Sequence, residues 1–126
     1  MNLAVGVDIT SPVPHYEQLR SQLAALITAG TLADGERLPT VRALANDLGI
    51  APGTVSRTYR DLEAAGLVTT RRRVGTLVTA PARTLDRAAV TEAARRYVRL
   101  ARDHGLTDAE VRDAVAAELV LSRATG

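Results

Sequence analysis

The sequence predicts a mainly α protein with a small β-wing: an N-terminal winged helix-turn-helix followed by a short two-helix C-terminal dimerisation tail. Three observations carry this expectation. Two apolar-periodic segments, residues 40–48 and 52–62, are joined by a turn of three or four residues containing Gly49, which is the helix-turn-helix layout. Two stretches rich in β-branched residues, 67–70 and 76–79, flank Arg71-Arg72-Arg73-Val74-Gly75 and read as a hairpin with a basic tip. A hairpin directly after such a helix pair is a wing. Beyond Pro81, two further amphipathic segments complete the chain.

Each element has a local cause. Residues 3–9 read as a short strand or extended arm. Ser11-Pro12-Val13-Pro14 prepares a helix start, because proline suits a first turn. Tyr16, Leu19, Leu23, Leu26 and Ile27 then recur at helical spacing, and Gly30 closes that helix. Asp34-Gly35 marks a turn, and Glu36-Arg37-Leu38 a very short strand. Thr40 is the expected N-cap of the second helix, which places Val41, Leu44, Ala45 and Leu48 on one face and stops at Gly49. Pro52 sits at the first position of the third, whose stripe is Val55, Tyr59 and Leu62 and whose stop is Gly66. In the tail, one helix is expected over residues 85–104, with Leu85, Ala89, Ala93, Tyr97 and Leu100 on one face and Gly105 after it. Thr107-Asp108-Ala109-Glu110 is a capping box, with Leu106 and Val111 as its staple. Val111, Val115 and Leu119 continue the last stripe. The domain boundaries are therefore 1–80 for the winged helix-turn-helix and 81–126 for the helical tail.

Composition narrows the function classes. The chain has 126 residues, 46% of them hydrophobic and 24% charged, which fits one small globular domain with an appendage. The absence of cysteine excludes disulfides, zinc ribbons and thiol catalysis. The longest apolar run, residues 23–27, is far short of a membrane span, and the N-terminus lacks a basic region followed by an apolar one. A cytoplasmic protein without a membrane partner is expected. The only aromatics are three tyrosines, so the core must be built from Leu, Val, Ile and Ala. Small cores of that kind often gain stability by oligomerising.

The net charge of +2 conceals a strong asymmetry. Residues 1–36 carry −3, whereas residues 37–75 carry +4 and hold seven arginines. A clustered basic segment is the electrostatic footprint of a nucleic-acid binder. The competing assignment is a solvated surface on which Arg42, Arg57 and Arg60 pair with Asp47, Asp61 or Glu63. Three like charges at Arg71, Arg72 and Arg73 gain nothing structurally on a hairpin, which favours contact with DNA. A major groove accepts an α-helix, and residues near its N-terminus reach base edges. On the third helix Gly53, Thr54, Arg57 and Arg60 lie opposite the apolar stripe. Gly53 permits close backbone approach, and Thr54 and Ser56 offer hydroxyls. Arg57, nearer the helix start than Arg60, is the better base reader. Thr40 can present its amide and hydroxyl to a phosphate. The wing from Arg71 to Gly75 and Thr76 would enter or flank the minor groove, which attracts arginine where it narrows. Gly75 is more a turn residue than a contact, and Tyr16, Tyr59 and Tyr97 fit core or interface roles better than stacking platforms. His15 and His104 have no metal-spaced partner, and Asp108, Glu110 and Asp113 suit a helix N-terminus.

The stretch LPTVRALANDLGIAPGTVSRTYRDLEAAGLVTTRRRVGTLV resembles the winged helix-turn-helix of the GntR family of bacterial transcription regulators, and DITSPVPHYEQLRSQLAALITAGTLADGERLP resembles the helix that precedes it there. The Pro-Gly-Thr-Val…Tyr pattern is most similar to the YtrA-like subfamily or the related MocR-like proteins. The latter carry a large aminotransferase-like domain, for which 126 residues leave no room. The resemblance implies a sequence-specific, DNA-binding regulator, a repressor acting as a homodimer on a palindromic operator. It also implies a DNA contact for Arg42, which occupies the arginine position of the LPTVR-type segment. Departures are specific. Pro52 and Ser56 stand where many members have arginine, Ala51-Pro52-Gly53-Thr54 where YtrA-like proteins often have Asn-Pro-Asn-Thr, Arg73 where a wing glycine is common, and Leu77 where phenylalanine is.

The expected partners are double-stranded DNA and a second copy of the chain, which would bury Leu85, Ala89, Ala93, Tyr97, Leu100, Val111, Val115 and Leu119. An unidentified small-molecule effector at the dimer interface is left open, and no cofactor or metal is expected. The alternative function is a winged-helix protein-interaction module without DNA binding, which would not need a basic wing. An enzyme is disfavoured by the absence of phosphate-loop, dinucleotide, metalloprotease or nucleophile signatures.

Overall fold

The computed structural model describes residues 4–79 and 87–125, with the backbone alone for 87, 124 and 125. The elements run α1 (His15–Thr28), α2 (Val41–Leu48), α3 (Pro52–Ala64), β1 (Val68–Arg71), β2 (Gly75–Val78), α4 (Arg87–Asp103) and α5 (Asp108–Thr125). The mainly α architecture with a β-wing is thus the observed one. The chain divides into two compact units, Met1–Thr84 and Leu85–Gly126.

In the first unit the three helices enclose one apolar core. Leu19, Leu23 and Ile27 of α1 meet Leu44 and Ala45 of α2 and Val55, Tyr59 and Leu62 of α3, with Leu38, Val68 and Val78 closing the base of the wing. The i, i+4 spacing of Leu19, Leu23 and Ile27 explains why one side of α1 is buried. Tyr16 and Leu26, at the edges of that stripe, are only half-buried. α2 starts at Thr40, whose hydroxyl accepts from the Ala43 amide at 3.1 Å, and ends at Gly49 in the left-handed conformation (φ 67°). α3 begins with Pro52 at its first position, where the missing N–H costs nothing.

Two buried polar groups lock α3 in place. The Tyr59 hydroxyl donates to the Pro39 carbonyl at 2.7 Å, tying α3 to the residue before the α2 cap. The Thr58 hydroxyl, fully buried, lies 3.0 Å from the Thr54 carbonyl and 3.1 Å from the Tyr16 carbonyl, tying α3 to the start of α1. Thr58 continues the Val55 stripe by three residues, but its polar side chain hides it from an apolar pattern.

The N-terminal arm is not a strand. Residues 4–8 are extended without a ladder partner, because two glutamines of α1 take that role. Gln22 accepts from the Gly6 amide (2.9 Å) and donates to the Gly6 carbonyl (2.7 Å). Gln18 does the same with Asp8 (2.8 and 3.0 Å). Leu3 itself lies outside the described residues. The short strand at residues 36–38 reduces to a single antiparallel bridge, Arg37 to Leu77, because the chain turns into the α2 cap immediately afterwards. The Leu38 amide still donates to Thr76 at 2.9 Å and the Val78 amide to Glu36 at 2.8 Å.

In the second unit, α4 and α5 are joined by the expected capping box. Thr107 Oγ1 accepts from the Glu110 amide (3.2 Å), and Glu110 accepts from the Thr107 amide (2.9 Å), which holds the Glu110 carboxyl below its ordinary pKa. The Tyr97 hydroxyl donates to the Val111 carbonyl at 2.9 Å, connecting the two helices. Pro81 and Leu85 lie outside the described residues.

The Tyr59 bond yields a prediction. Tyr59→Phe should lower unfolding free energy by about 1 kcal/mol near neutral pH, since it strands the Pro39 carbonyl. Burial raises the Tyr59 pKa, so the neutral phenol belongs to the folded state. Its contribution is complete below the ordinary tyrosine value of 10.0 and is lost as pH rises beyond it. Denaturant titrations of both proteins should therefore show the gap narrowing above that pH; a gap independent of pH would contradict the assignment.

Candidate nucleic-acid interface

Three consecutive elements present the arginines of the basic segment. α2 carries Arg42, α3 carries Arg57 and Arg60, and the wing carries Arg71, Arg72 and Arg73; all six are exposed. Among the described residues, none of them makes an ion pair; the pairs present are Arg20–Glu17, Arg95–Glu92, Arg99–Glu92 and Arg102–Asp108. The carboxylates that might have neutralised them are engaged elsewhere or remain apart. Glu63 accepts from the Thr70 amide at 2.8 Å, and neither Asp47 nor Asp61 forms an ion pair among the described residues.

The first turn of α3 is open. Gly53 is exposed, and a Cβ built on it would meet nothing within 4 Å. Nothing inside the fold requires glycine there, although glycine in a helix costs about 1 kcal/mol relative to alanine. Thr54 and Ser56 flank it, both half-buried. Thr54 and Thr58 are not equivalent: Thr58 points fully inward, whereas Thr54 supplies the carbonyl that Thr58 bonds. Thr40, exposed, spends one lone pair of its hydroxyl on the α2 cap and keeps its proton free for an acceptor.

Arg57 has a ring partner on another helix. Its guanidinium carbon lies 3.6 Å from the centroid of the Tyr16 ring, so Tyr16 is a stacking platform and not simply core. An isolated tyrosine forty residues upstream gives no sign of this in sequence.

The wing is fixed to α3 at its base and carries its charge at its tip. β1 and β2 pair antiparallel in register Val68–Val78, Thr69–Leu77, Thr70–Thr76 and Arg71–Gly75. Buried Val68 and Val78 anchor the base, while the Glu63–Thr70 bond joins it to α3. Thr79 adds a bond from its amide to the Leu67 carbonyl (3.0 Å) and one from its hydroxyl to Gly66 (3.1 Å). At the tip the Val74 amide donates to Arg71 at 3.1 Å across a tight turn. Arg73 occupies the left-handed region (φ 68°), and is the one non-glycine residue with positive φ among the described residues. The position where a glycine is common in the resembled family is therefore one that needs glycine-like backbone, and here an arginine occupies it under strain. Gly75 (φ 111°) is a turn residue that a side chain would strain, and Thr76 follows it with its hydroxyl 3.4 Å from that of Thr70.

Arg37 belongs to the same face, although the sequence gives it only a strand position. It is exposed, its bridge to Leu77 lays it along β2, and a Cβ added at Gly75 would lie 3.8 Å from its side chain. The signal was available in the basic segment's charge count but not its placement beside the wing.

The residues expected on the tail face are also exposed for the most part. Leu100 is 58% exposed, Val115 46% and Leu119 53%, with Ala89 and Ala93 exposed and Tyr97 and Val111 half-buried. Ala101 is the one buried residue of this unit among those described. Leu85 lies outside the described residues. Tyr97, Ala114, Val115 and Glu118 line an open groove of about 360 Å³. Among the described residues no group of His, Cys, Asp and Glu is placed to hold a metal, and no helix is long and apolar enough to cross a membrane.

Residues 15–78 match the family model of bacterial regulatory proteins, gntR family. The chain is similar to the HTH-type transcriptional regulator Rv1152 of Mycobacterium tuberculosis, with 46% identity over 82% of this chain and 84% of that one. It is 38% identical to the HTH-type transcriptional repressor YtrA of Bacillus subtilis over 64% of this chain and 62% of that one, slightly less than two thirds of that relative's length. Among solved structures, YtrA from Sulfolobus acidocaldarius, a GntR-family transcription factor, superposes with a TM-score of 0.56 at 28% identity, covering 75% of this chain and 96% of that one.

The wing turn gives the second prediction. Arg73→Gly should raise unfolding free energy by about 0.5–1 kcal/mol, the left-handed strain relieved less the extra entropy of glycine in the unfolded chain. A thermal melt in which the variant is no more stable than wild type would show that the turn is unstrained.

Proposed function

The chain belongs to the GntR family of bacterial regulatory proteins, and from that premise we propose that it acts as a homodimeric repressor on a palindromic operator. It is a DNA-binding transcriptional regulator of YtrA-like type, not an enzyme. The observation that carries the proposed DNA surface is the row of exposed arginines on α2, α3 and the wing, none of them neutralised by a carboxylate among the described residues. In this reading the N-terminal turns of α3 enter the major groove. Arg57 reads a base edge, and Gly53, Thr54 and Ser56 allow and support the close approach. Arg60, Arg42 and Thr40 hold phosphates on either side. Arg71, Arg72 and Arg73, with Gly75 and Thr76 shaping the turn, lie in or along the minor groove. Domain limits of 1–80 for DNA binding and 81–126 for pairing go with this division of labour, and the cytoplasm is where such a regulator meets its operator.

Dimerisation through the tail has its own support. A helical pair that leaves Leu100, Val115 and Leu119 about half exposed gains little from the hydrophobic effect alone. A second copy, related by a two-fold axis, would cover Ala89, Ala93, Tyr97, Leu100, Val111, Val115 and Leu119, with Leu85 continuing the same stripe. That symmetry would match two half-sites of an operator. A small-molecule effector would meet the same face, in the open groove beside Tyr97.

Selection from a randomised duplex library by the purified chain tests the DNA reading. One enriched, inverted-repeat sequence is expected. Arg57→Ala should lower discrimination between that duplex and a scrambled one. The Arg71/Arg72/Arg73→Ala variant should weaken both and reduce the salt slope by about 1–3, at roughly 0.9 for each phosphate contact. Enrichment of no sequence would defeat the reading. For the dimer, sedimentation equilibrium at micromolar concentration should give twice the chain mass, and Leu100→Asp with Val115→Asp should give a folded monomer. A wild-type monomer under those conditions would exclude pairing through the tail.

A further inference from the structure

We propose that Tyr16 is a positioning residue for sequence recognition: its ring holds the Arg57 guanidinium flat, with the hydrogen-bonding edge free for a guanine. The proposal rests on the reading of α3 as the base-contacting helix. At 3.6 Å from the ring centroid, the orientation of the guanidinium is restricted. A nitrogen about 1.3 Å from the central carbon and aimed at the ring centre would fall well inside contact distance, so none of the N–H bonds points into the ring. All its N–H bonds lie in its own plane, so a stacked guanidinium loses none of its donors to the ring. The fork that fits the O6 and N7 acceptors of guanine remains available at the exposed edge.

The platform is itself fixed. The Thr58 hydroxyl reaches the Tyr16 carbonyl at 3.1 Å, and Thr58 is the residue after Arg57. One buried side chain therefore locks the backbone of the platform to the helix turn that carries the stacked group. Tyr16 also lies one turn before fully buried Leu19. Carboxylates do not compete. Glu17, next to Tyr16, is held by Arg20 through two contacts, one of them 3.0 Å. Asp61, one turn after Arg57, makes no ion pair with it among the described residues. Arg57 thus rests on an uncharged surface that orders it without neutralising it, and less side-chain freedom is lost when DNA arrives.

The test uses the full chain, the duplex enriched from the library and its scrambled counterpart, at two or more salt concentrations. Tyr16→Leu should reduce the ratio of the two affinities by about two- to fivefold, the value of an exposed cation–π contact. The scrambled-duplex affinity and the salt slope should hold, because the Arg57 charge remains. Tyr16→Phe should rescue the ratio, and Tyr16→Leu added to Arg57→Ala should change it no further. Thermal melts establish folding, and if Tyr16→Leu fails to fold, Tyr16→Met carries the same expectation. An unchanged ratio in Tyr16→Leu, alongside a reduced one in Arg57→Ala, would leave Arg57 a base reader and overturn the role of Tyr16. An unchanged ratio in Arg57→Ala would overturn both. Equal weakening on the two duplexes would reduce Tyr16 to a structural residue, and tighter operator binding by Tyr16→Leu would make the stack a brake.

Discussion

The hydrogen bond from Tyr59 to the Pro39 carbonyl is the constraint on which the first unit depends. A core without phenylalanine or tryptophan is filled by branched aliphatics, which pack but do not specify direction. One phenol that must satisfy its hydroxyl inside that core supplies the direction. It sets α3 against the chain just before the Thr40 cap, and so fixes the crossing of the two helices that carry Arg42, Arg57 and Arg60. Thr58 does the same toward α1. Two polar groups in an otherwise apolar interior thus define how three helices meet, and neither leaves a buried side-chain donor or acceptor without a partner.

From that fixed frame the charge can be placed without compensation. A guanidinium on a helix surface usually gains a little from a nearby carboxylate. Here the nearby acids have other tasks: Glu63 holds the wing base through the Thr70 amide, and Glu17 holds Arg20. The arginines of α2, α3 and the wing are left without an ion pair among the described residues, which suits the DNA contacts proposed for them. Arg73 extends the same economy to the backbone, accepting a left-handed conformation at the tip that glycine would adopt freely. Strain of that kind persists where the surrounding structure over-determines the turn, here through the Arg71–Gly75 pairing and the Val74 amide.

Much of this was legible in the chain. The caps at Thr40 and Gly49, the start of α3 at Pro52, the capping box at Thr107 and Glu110, and the pairing of the wing all follow from local chemistry that acts within a few residues. The partners of the arm at residues 4–8 were not, since they are Gln18 and Gln22 on α1, and a glutamine looks the same in sequence whether or not it bonds a distant backbone. Arg37 was counted among the basic residues, but its position along β2 depends on a single bridge to Leu77.

The sequence by itself determined which segments become helices, where they stop, and that residues 37–75 carry the excess positive charge. Those are consequences of spacing, turn chemistry and charge, and each acts over a few residues. Only the tertiary structure decided what the three tyrosines do. Tyr59 became an internal tie, Tyr97 a link to the Val111 carbonyl, and Tyr16 a platform beneath Arg57. A phenol has an apolar face and a polar tip, so its role is set by whichever groups the fold brings to each, and those groups come from other elements. The same holds for Arg57, whose outward position is fixed by helical periodicity but whose orientation is set by a ring on another helix.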